Sequence, residues 1–288
     1  MKKNKALILR TAGTNCDKET EFAFNSVGAE AQLVHVKALI KDKSMLEEYH
    51  ILAIPGGFTY GDDIASGKIL ANELKFGLGG ELSRFISQGK IIIGICNGFQ
   101  VLVKMGLLPN LTANAAPQIE ATLSLNDSGR FDDRWVYLRN VKCKIKNVKI
   151  EDAECKIENV GMEGVKCIWA KGLPDVIYLP IAHAEGKFIP KDKNVLESLQ
   201  KNNQIVFRYS DRSGKVGAGY PHNPNGSVDD IAGICDTTGR VFGMMPHPER
   251  HITYLQHPNW RRVGLGDRKK MGIGLKIFEN GVNFVRGH

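Results

Sequence analysis

A cysteine flanked by glycines and two histidine-x-glutamate pairs are the side chains whose types and spacing could do chemistry in this chain. Gly94-Ile95-Cys96-Asn97-Gly98 stands where the apolar run Ile91–Ile95 gives way to Val101, Leu102 and Met105, which have helical spacing and stop at Gly106. A buried strand passing directly into a helix, with glycine on both sides of the joint, is the form of a nucleophile elbow. Such a turn exposes one side chain, and the start of a helix favours a thiolate there. The alternative is a structural cysteine whose glycine neighbours only allow close packing. A thiol nucleophile needs a base and a group to orient it. His183-Ala184-Glu185 and Pro246-His247-Pro248-Glu249 each offer an imidazole and a carboxylate two residues apart, which in extended chain project to one side. Spacing does not decide which pair faces Cys96.

Acyl chemistry at a thiol also needs donors for the oxyanion. The backbone N–H of Asn97 is one candidate, and an N–H of the turn Pro55-Gly56-Gly57-Phe58, at Gly57 or Phe58, is the other. The H-x-E pairs lie about sixty residues apart and match no standard ligand spacing, so no metal is expected. Gly61 and Gly67 are one residue too far apart for a phosphate loop, and no dinucleotide fingerprint occurs, so no nucleotide site is expected in this chain.

The elements that must position these residues alternate in the first hundred positions. Lys5–Leu9, Gln32–Val36, Ile51–Ile54 and Ile91–Ile95 read as short apolar strands, and residues 17–27 read as a helix ending at Gly28. Uninterrupted apolar strands alternating with helices predict an α/β fold with a mostly parallel sheet flanked by helices. Ligands bind such sheets beyond the carboxyl ends of the strands, where Cys96 and the Gly56-Gly57 turn fall. From about Asn126 strand-like pieces follow one another: 135–138, 141–148, 165–169, 176–179, 204–209 and 241–245. They read as a strand-rich insertion with antiparallel or mixed pairing. Leu275, Phe278, Val282 and Val285 close the chain with an amphipathic helix. No linker or repeat is evident, so residues 1–288 read as one domain.

With 42% hydrophobic and 24% charged residues, the composition of the chain excludes disorder as a starting point. The N-terminal apolar run is too short for a signal peptide and no stretch is long enough for a membrane span, which predicts a cytoplasmic protein with free thiols. The charge of +8 is dispersed, apart from a basic segment at 261–270, so neither a nucleic acid nor a membrane is expected as partner.

PGGFTYGDD at 55–63, GICNGFQVLVKMGLLPN at 94–110, LPIAHAEGKF at 179–188, NPNGS at 223–227 and GMMPHPER at 243–250, together with Asn15-Cys16-Asp17, carry a resemblance. The chain resembles the class I glutamine amidotransferases and, among them, the glutaminase subunits of phosphoribosylformylglycinamidine synthase. The resemblance implies a Cys96-His247-Glu249 triad, with Gly57, Phe58, Asn97 and Gln100 around the oxyanion and substrate. His183 and Glu185 are implied as a substrate or partner loop, although Ala184 departs from the family's His-Gly-Glu-Gly. It further implies glutamine as substrate and no cofactor in this chain. ATP and magnesium would be used by a synthetase subunit that receives the ammonia, often with a small third subunit. The family's common members are shorter, which places extra material in the Lys-rich stretch at 140–165 and in 251–270. Cys16 is expected to be a packed thiol. The alternatives are an amidotransferase serving another acceptor and a scaffold that keeps only the fold.

Overall fold

The computed structural model describes residues 4–111, 117–141, 166–263 and 271–287. Residues 142–165 of the Lys-rich stretch, and with them all but the first residue of the expected strand 141–148, lie outside them, as do residues 264–270 of the basic segment. The chain starts with β1 (Lys5–Arg10), α1 (Asp17–Ser26), β2 (Glu30–His35), α2 (Val36–Lys41) and β3 (Ile51–Ile54). Next come α3 (Lys68–Ser87), β4 (Ile91–Ile95) and α4 (Asn97–Met105). After them run β5 (Ala121–Ser124), β6 (Asp132–Asn140), β7 (Val176–His183), β8 (Lys187–Pro190), α5 (Lys193–Lys201) and β9 (Ile205–Ser210). β10 (Ile231–Cys235), β11 (Val241–Met244), α6 (Trp260–Val263) and α7 (Leu275–Arg286) complete the order.

Nine strands form one sheet in the order β2-β1-β3-β4-β11-β10-β9-β6-β7, and β5 pairs with β8 in a separate ribbon. The first five are joined by parallel pairings, and each pairing from β11 to β7 is antiparallel. The strand-rich segment therefore extends the parallel sheet. β3 and β4 are buried at every position, which is what a strand covered on both faces requires and why their sequence shows no alternation. α3 buries Leu70, Leu74, Leu78, Leu82 and Phe85 along one stripe and packs beside α4, whereas α1 packs beside α7 through Phe24 and Phe278.

This topology delivers the site. β1, β3, β4 and β11 run the same way, so the loops after Arg10, Ile54, Ile95 and Met244 all leave at one edge. Four successive reversals from β11 to β7 restore that direction, so β7 also ends there, at His183. One expected strand is corrected. Where the stretch 165–169 is expected as a strand, Ile168–Ala170 forms a single 3-10 turn that buries Trp169, whose indole N–H donates to the Arg240 carbonyl. The ring packs over Gly281 of α7, and burying that side chain overrides a short strand-like pattern.

Candidate active site

Cys96 joins β4 to α4 with φ 50° and ψ −105°, a conformation a non-glycine residue adopts only when its surroundings impose it. Its N–H donates to the Met244 carbonyl at 2.8 Å, tying the elbow to the end of β11. The glycines account for the rest. A Cβ on Gly98 would overlap the Ile54 carbonyl oxygen, and one on Gly94 would meet the Gly98 carbonyl oxygen at 2.6 Å. Helix, elbow and neighbouring strand thus approach closely because both flanks lack a side chain. The Cys96 thiol lies 3.8 Å from the Ala182 carbonyl oxygen.

The two H-x-E pairs, alike in sequence, part company in the fold. His247 is fixed by its N–H, which donates to the Pro180 carbonyl, and its Nδ1 stands 2.6 Å from Glu249 Oε1, both side chains being buried. Burial works against a charge on His247, but the Glu249 carboxylate and the neighbouring Cys96 outweigh it and hold the imidazole well above its usual value. Its Nε2 is buried with no well-aligned hydrogen-bond partner. His183 and Glu185, by contrast, do not pair. His183 Nδ1 lies 3.2 Å from Asn126 Oδ1, which as an acceptor assigns the proton to Nδ1, and burial pushes this histidine down to about 3. Glu185 turns the other way and accepts the Ser66 N–H at 3.2 Å.

The turn after β3 is braced from behind by the loop after β1. The Gly56 carbonyl accepts N–H groups from Asn15 at 3.3 Å and Cys16 at 3.1 Å, and the N–H of that planar trans peptide, belonging to Gly57, therefore points the opposite way. Gly57 has φ 146°, and a Cβ there would press on the Gly13 oxygen and the Asn15 nitrogen, so only glycine fits. The Phe58 N–H donates to the Gly13 carbonyl at 2.8 Å and is thus engaged, although its side chain lines the cavity. The Asn97 N–H belongs to the first turn of α4, which has no intrahelical acceptor to offer it.

A cavity of about 190 Å³ connects these parts, lined among others by Gly57, Phe58, Cys96, Gln100, His183 and Glu185. A ring of hydrogen bonds shapes one wall. Asn97 Nδ2 donates to Asp62 Oδ1 and to Gln100 Oε1, while Gln100 Nε2 donates to the Glu185 carbonyl at 2.6 Å. Glu185 in turn holds Ser66, whose hydroxyl donates to Asp62 Oδ2 at 3.0 Å. Burial lifts the Asp62 carboxyl above its usual range against these hydrogen bonds.

The places of Asp62, Ser66 and Asn126 beside the cavity carry no signature in the sequence. Asp62 lies inside the PGGFTYGDD text, but its place depends on a positive φ that spacing does not reveal. Cys16 is packed as expected, fully buried, yet its sulfur is 3.1 Å from Arg250 Nη2 and 3.9 Å from His247 Nδ1. Cys16, His247 and Glu249 are the single trio of metal-capable side chains among the described residues. Nδ1 is already committed to Glu249, and a guanidinium stands on the sulfur, so the trio suits mutual hydrogen bonding better than a cation.

The model of the CobB/CobQ-like glutamine amidotransferase domain matches residues 3–285. The chain belongs to the glutamine amidotransferase family. It is 44% identical over 286 residues to the phosphoribosylformylglycinamidine synthase subunit PurQ of Dehalococcoides mccartyi, covering 99% of each chain. To the subunit of the same name from Archaeoglobus fulgidus it is 42% identical, over 98% of this chain and 97% of the relative. A chain of the PurLQS structure from Thermotoga maritima superposes with a TM-score of 0.66 at 28% identity, covering 99% of this chain and 100% of that one. No helix among the described residues is long and apolar enough to cross a membrane.

Proposed function

We propose that this chain is the glutaminase subunit of phosphoribosylformylglycinamidine synthase. In this reading Cys96 is the nucleophile, His247 the proton carrier and Glu249 the carboxylate that orients it. The observation that carries it is a cysteine on a strained elbow, open to a small cavity and beside a buried His247–Glu249 pair. Relatives bearing that subunit's name match the chain almost end to end.

The thiolate of Cys96 attacks the side-chain amide carbon of glutamine, and the carbonyl electrons move onto oxygen, where the N–H groups of Gly57 and Asn97 receive them. His247, kept protonated by Glu249, gives its proton to the amide nitrogen, the C–N bond breaks and ammonia leaves a thioester on Cys96. Water then adds to the thioester as His247 takes its proton back, and glutamate departs with return of the thiolate. Gln100 supports the cavity wall on which the substrate lies. The chain needs no cofactor of its own. Ammonia passes to a synthetase subunit that uses ATP and magnesium to convert formylglycinamide ribonucleotide to the amidine, with a small third subunit in the complex. We place the whole chain, residues 1–288, in one glutaminase domain working in the cytoplasm, a reading supported by the single sheet that draws strands from Lys5 through Met244.

The test is peptide mass spectrometry after treating the assembled complex, with nucleotide substrate and ATP, with an electrophilic glutamine analogue. One adduct on the Cys96 peptide, blocked by excess glutamine, is expected. In parallel, Cys96→Ala should abolish synthesis from glutamine and leave synthesis from ammonium salt intact. No adduct in an assembled complex would overturn the reading.

A further inference from the structure

We propose that Glu185 binds the α-ammonium group of the substrate and is the residue by which this cavity tells glutamine from other primary amides. The inference rests on the glutaminase reading of the same cavity and adds to it the group that reads the far end of the substrate.

The charge of the lining is the first observation. Among the described residues Asp62 and Glu185 are the only carboxylates that line it and no lysine or arginine does, so the cavity suits a positive group. The neighbouring His183 does not supply a cation, because its buried imidazole is held neutral. A substrate whose amide reaches Cys96 carries its ammonium group only a short carbon chain away, within the same small cavity that Glu185 lines.

The second observation separates the two carboxylates. Asp62 is spent on the protein: Oδ1 accepts the Gly67 N–H and the Asn97 amide at 3.1 Å each, and Oδ2 accepts the Ser66 hydroxyl at 3.0 Å. Glu185 gives Oε2 to the Ser66 N–H at 3.2 Å, which leaves most of the acceptor capacity of a carboxylate for a ligand. The group is also held in place. Its backbone carbonyl takes the Gln100 amide at 2.6 Å, and Asn126 Oδ1 takes the N–H of the next residue, Gly186, at 3.1 Å. A carboxylate fixed at the side chain and on both sides of its own peptide is preorganised to receive a charged donor.

Behind it sits Lys104, whose Nζ is buried without a hydrogen-bond partner and whose charge is within reach of both Glu185 and Asp62. An ammonium there opposes the repulsion between two carboxylates on one wall.

The experiment compares glutamine with 4-carbamoylbutanoate, the same molecule without its α-amino group, as substrates of the complete complex. The wild type should prefer glutamine by about 100-fold in kcat/KM, the scale of one charge-assisted hydrogen bond in a closed site. In Glu185→Gln, kcat/KM for glutamine should fall by a similar factor through KM, while that for the analogue stays within about threefold, so the preference collapses. Synthesis from ammonium salt, unchanged in the variant, reports that the complex has folded and assembled. Glu185→Asp, which keeps the charge, should retain the preference at a raised KM. A purely structural role would lower both substrates together, and that result in an assembled variant would overturn the proposal. Equal use of the two substrates by the wild type would overturn it without any variant. A wild-type complex that hydrolyses neither would remove the glutaminase reading itself.

Discussion

Glu249 and His183 illustrate how the same short pattern leads to opposite electrostatics. His247 keeps its proton because a carboxylate stands 2.6 Å from Nδ1, and this outweighs the burial that would strip it. Glu249→Gln should therefore lower the imidazole pKa, so that the alkaline loss of the acid form moves to lower pH. The pH profile of kcat/KM for glutamine should show that shift, with kcat down by about 10²- to 10⁴-fold. His183 has no such partner. Its folded value of about 3 lies below the ordinary 6.5 of the unfolded chain, so the unfolded chain takes up a proton that the folded one refuses. The cost is absent above pH 6.5 and grows as the pH falls toward 3, at most about 1.4 kcal/mol per pH unit. Denaturation of His183→Gln between pH 6.5 and 4 should accordingly lose stability less steeply on acidification than the wild type. Spacing alone did not separate the two H-x-E pairs, although the resemblance assigned the triad to His247 and Glu249. The contact of His247 with Glu249 and the Asn126 partner of His183, 57 residues away in the chain, form only once the strands pair.

At the scale of elements, the elbow and the turn after β3 depend on the absence of side chains. Gly98→Ala would drive a methyl into the Ile54 carbonyl, where the atom met is backbone and cannot swing aside. We expect a loss of about 1–3 kcal/mol or more in denaturant unfolding, accompanied by loss of glutamine hydrolysis. Gly57→Ala likewise meets backbone, the Gly13 oxygen at 2.5 Å and the Asn15 nitrogen at 2.6 Å, at a φ of 146°. Glutamine-dependent turnover should drop, with a lowered melting temperature, while ammonium-dependent synthesis in the assembled complex changes little, as expected of an oxyanion donor moved out of line. The elbow was legible because everything it needs is local: an apolar strand, a bare joint and a helical stripe within fifteen residues. The brace behind the turn was not, because it consists of backbone N–H groups of Asn15 and Cys16, and backbone donors leave no mark in a sequence. The 3-10 turn at Trp169 was likewise hidden, since its cause is the space over Gly281 of a helix more than a hundred positions later.

For the whole molecule, the site's state predicts its dependence on a partner. His247 Nε2 has no aligned partner, and Phe58, on the turn that carries Gly57, is 43% exposed. A docking synthetase that covers this ring can reset the turn and bring the thiol and imidazole into line. The isolated chain should thus hydrolyse glutamine slowly, with a rise of about tenfold or more when the synthetase, its nucleotide substrate and ATP are added. Equal rates in a stopped ammonia assay would refute this coupling. The sequence by itself determined the α/β class, the strand-to-helix elbow and the candidate donors on the turn, because periodicity, glycine and proline act over a few neighbouring residues. The family was also legible, in motifs spread over most of the chain. Only the tertiary structure decided that His183 and Glu185 part to different partners, that Asp62 is occupied while Glu185 is open, and that the later strands extend the same sheet. Those outcomes depend on which strand edges meet and in which direction, and that follows from burying all nine strands together, so no single segment contains it.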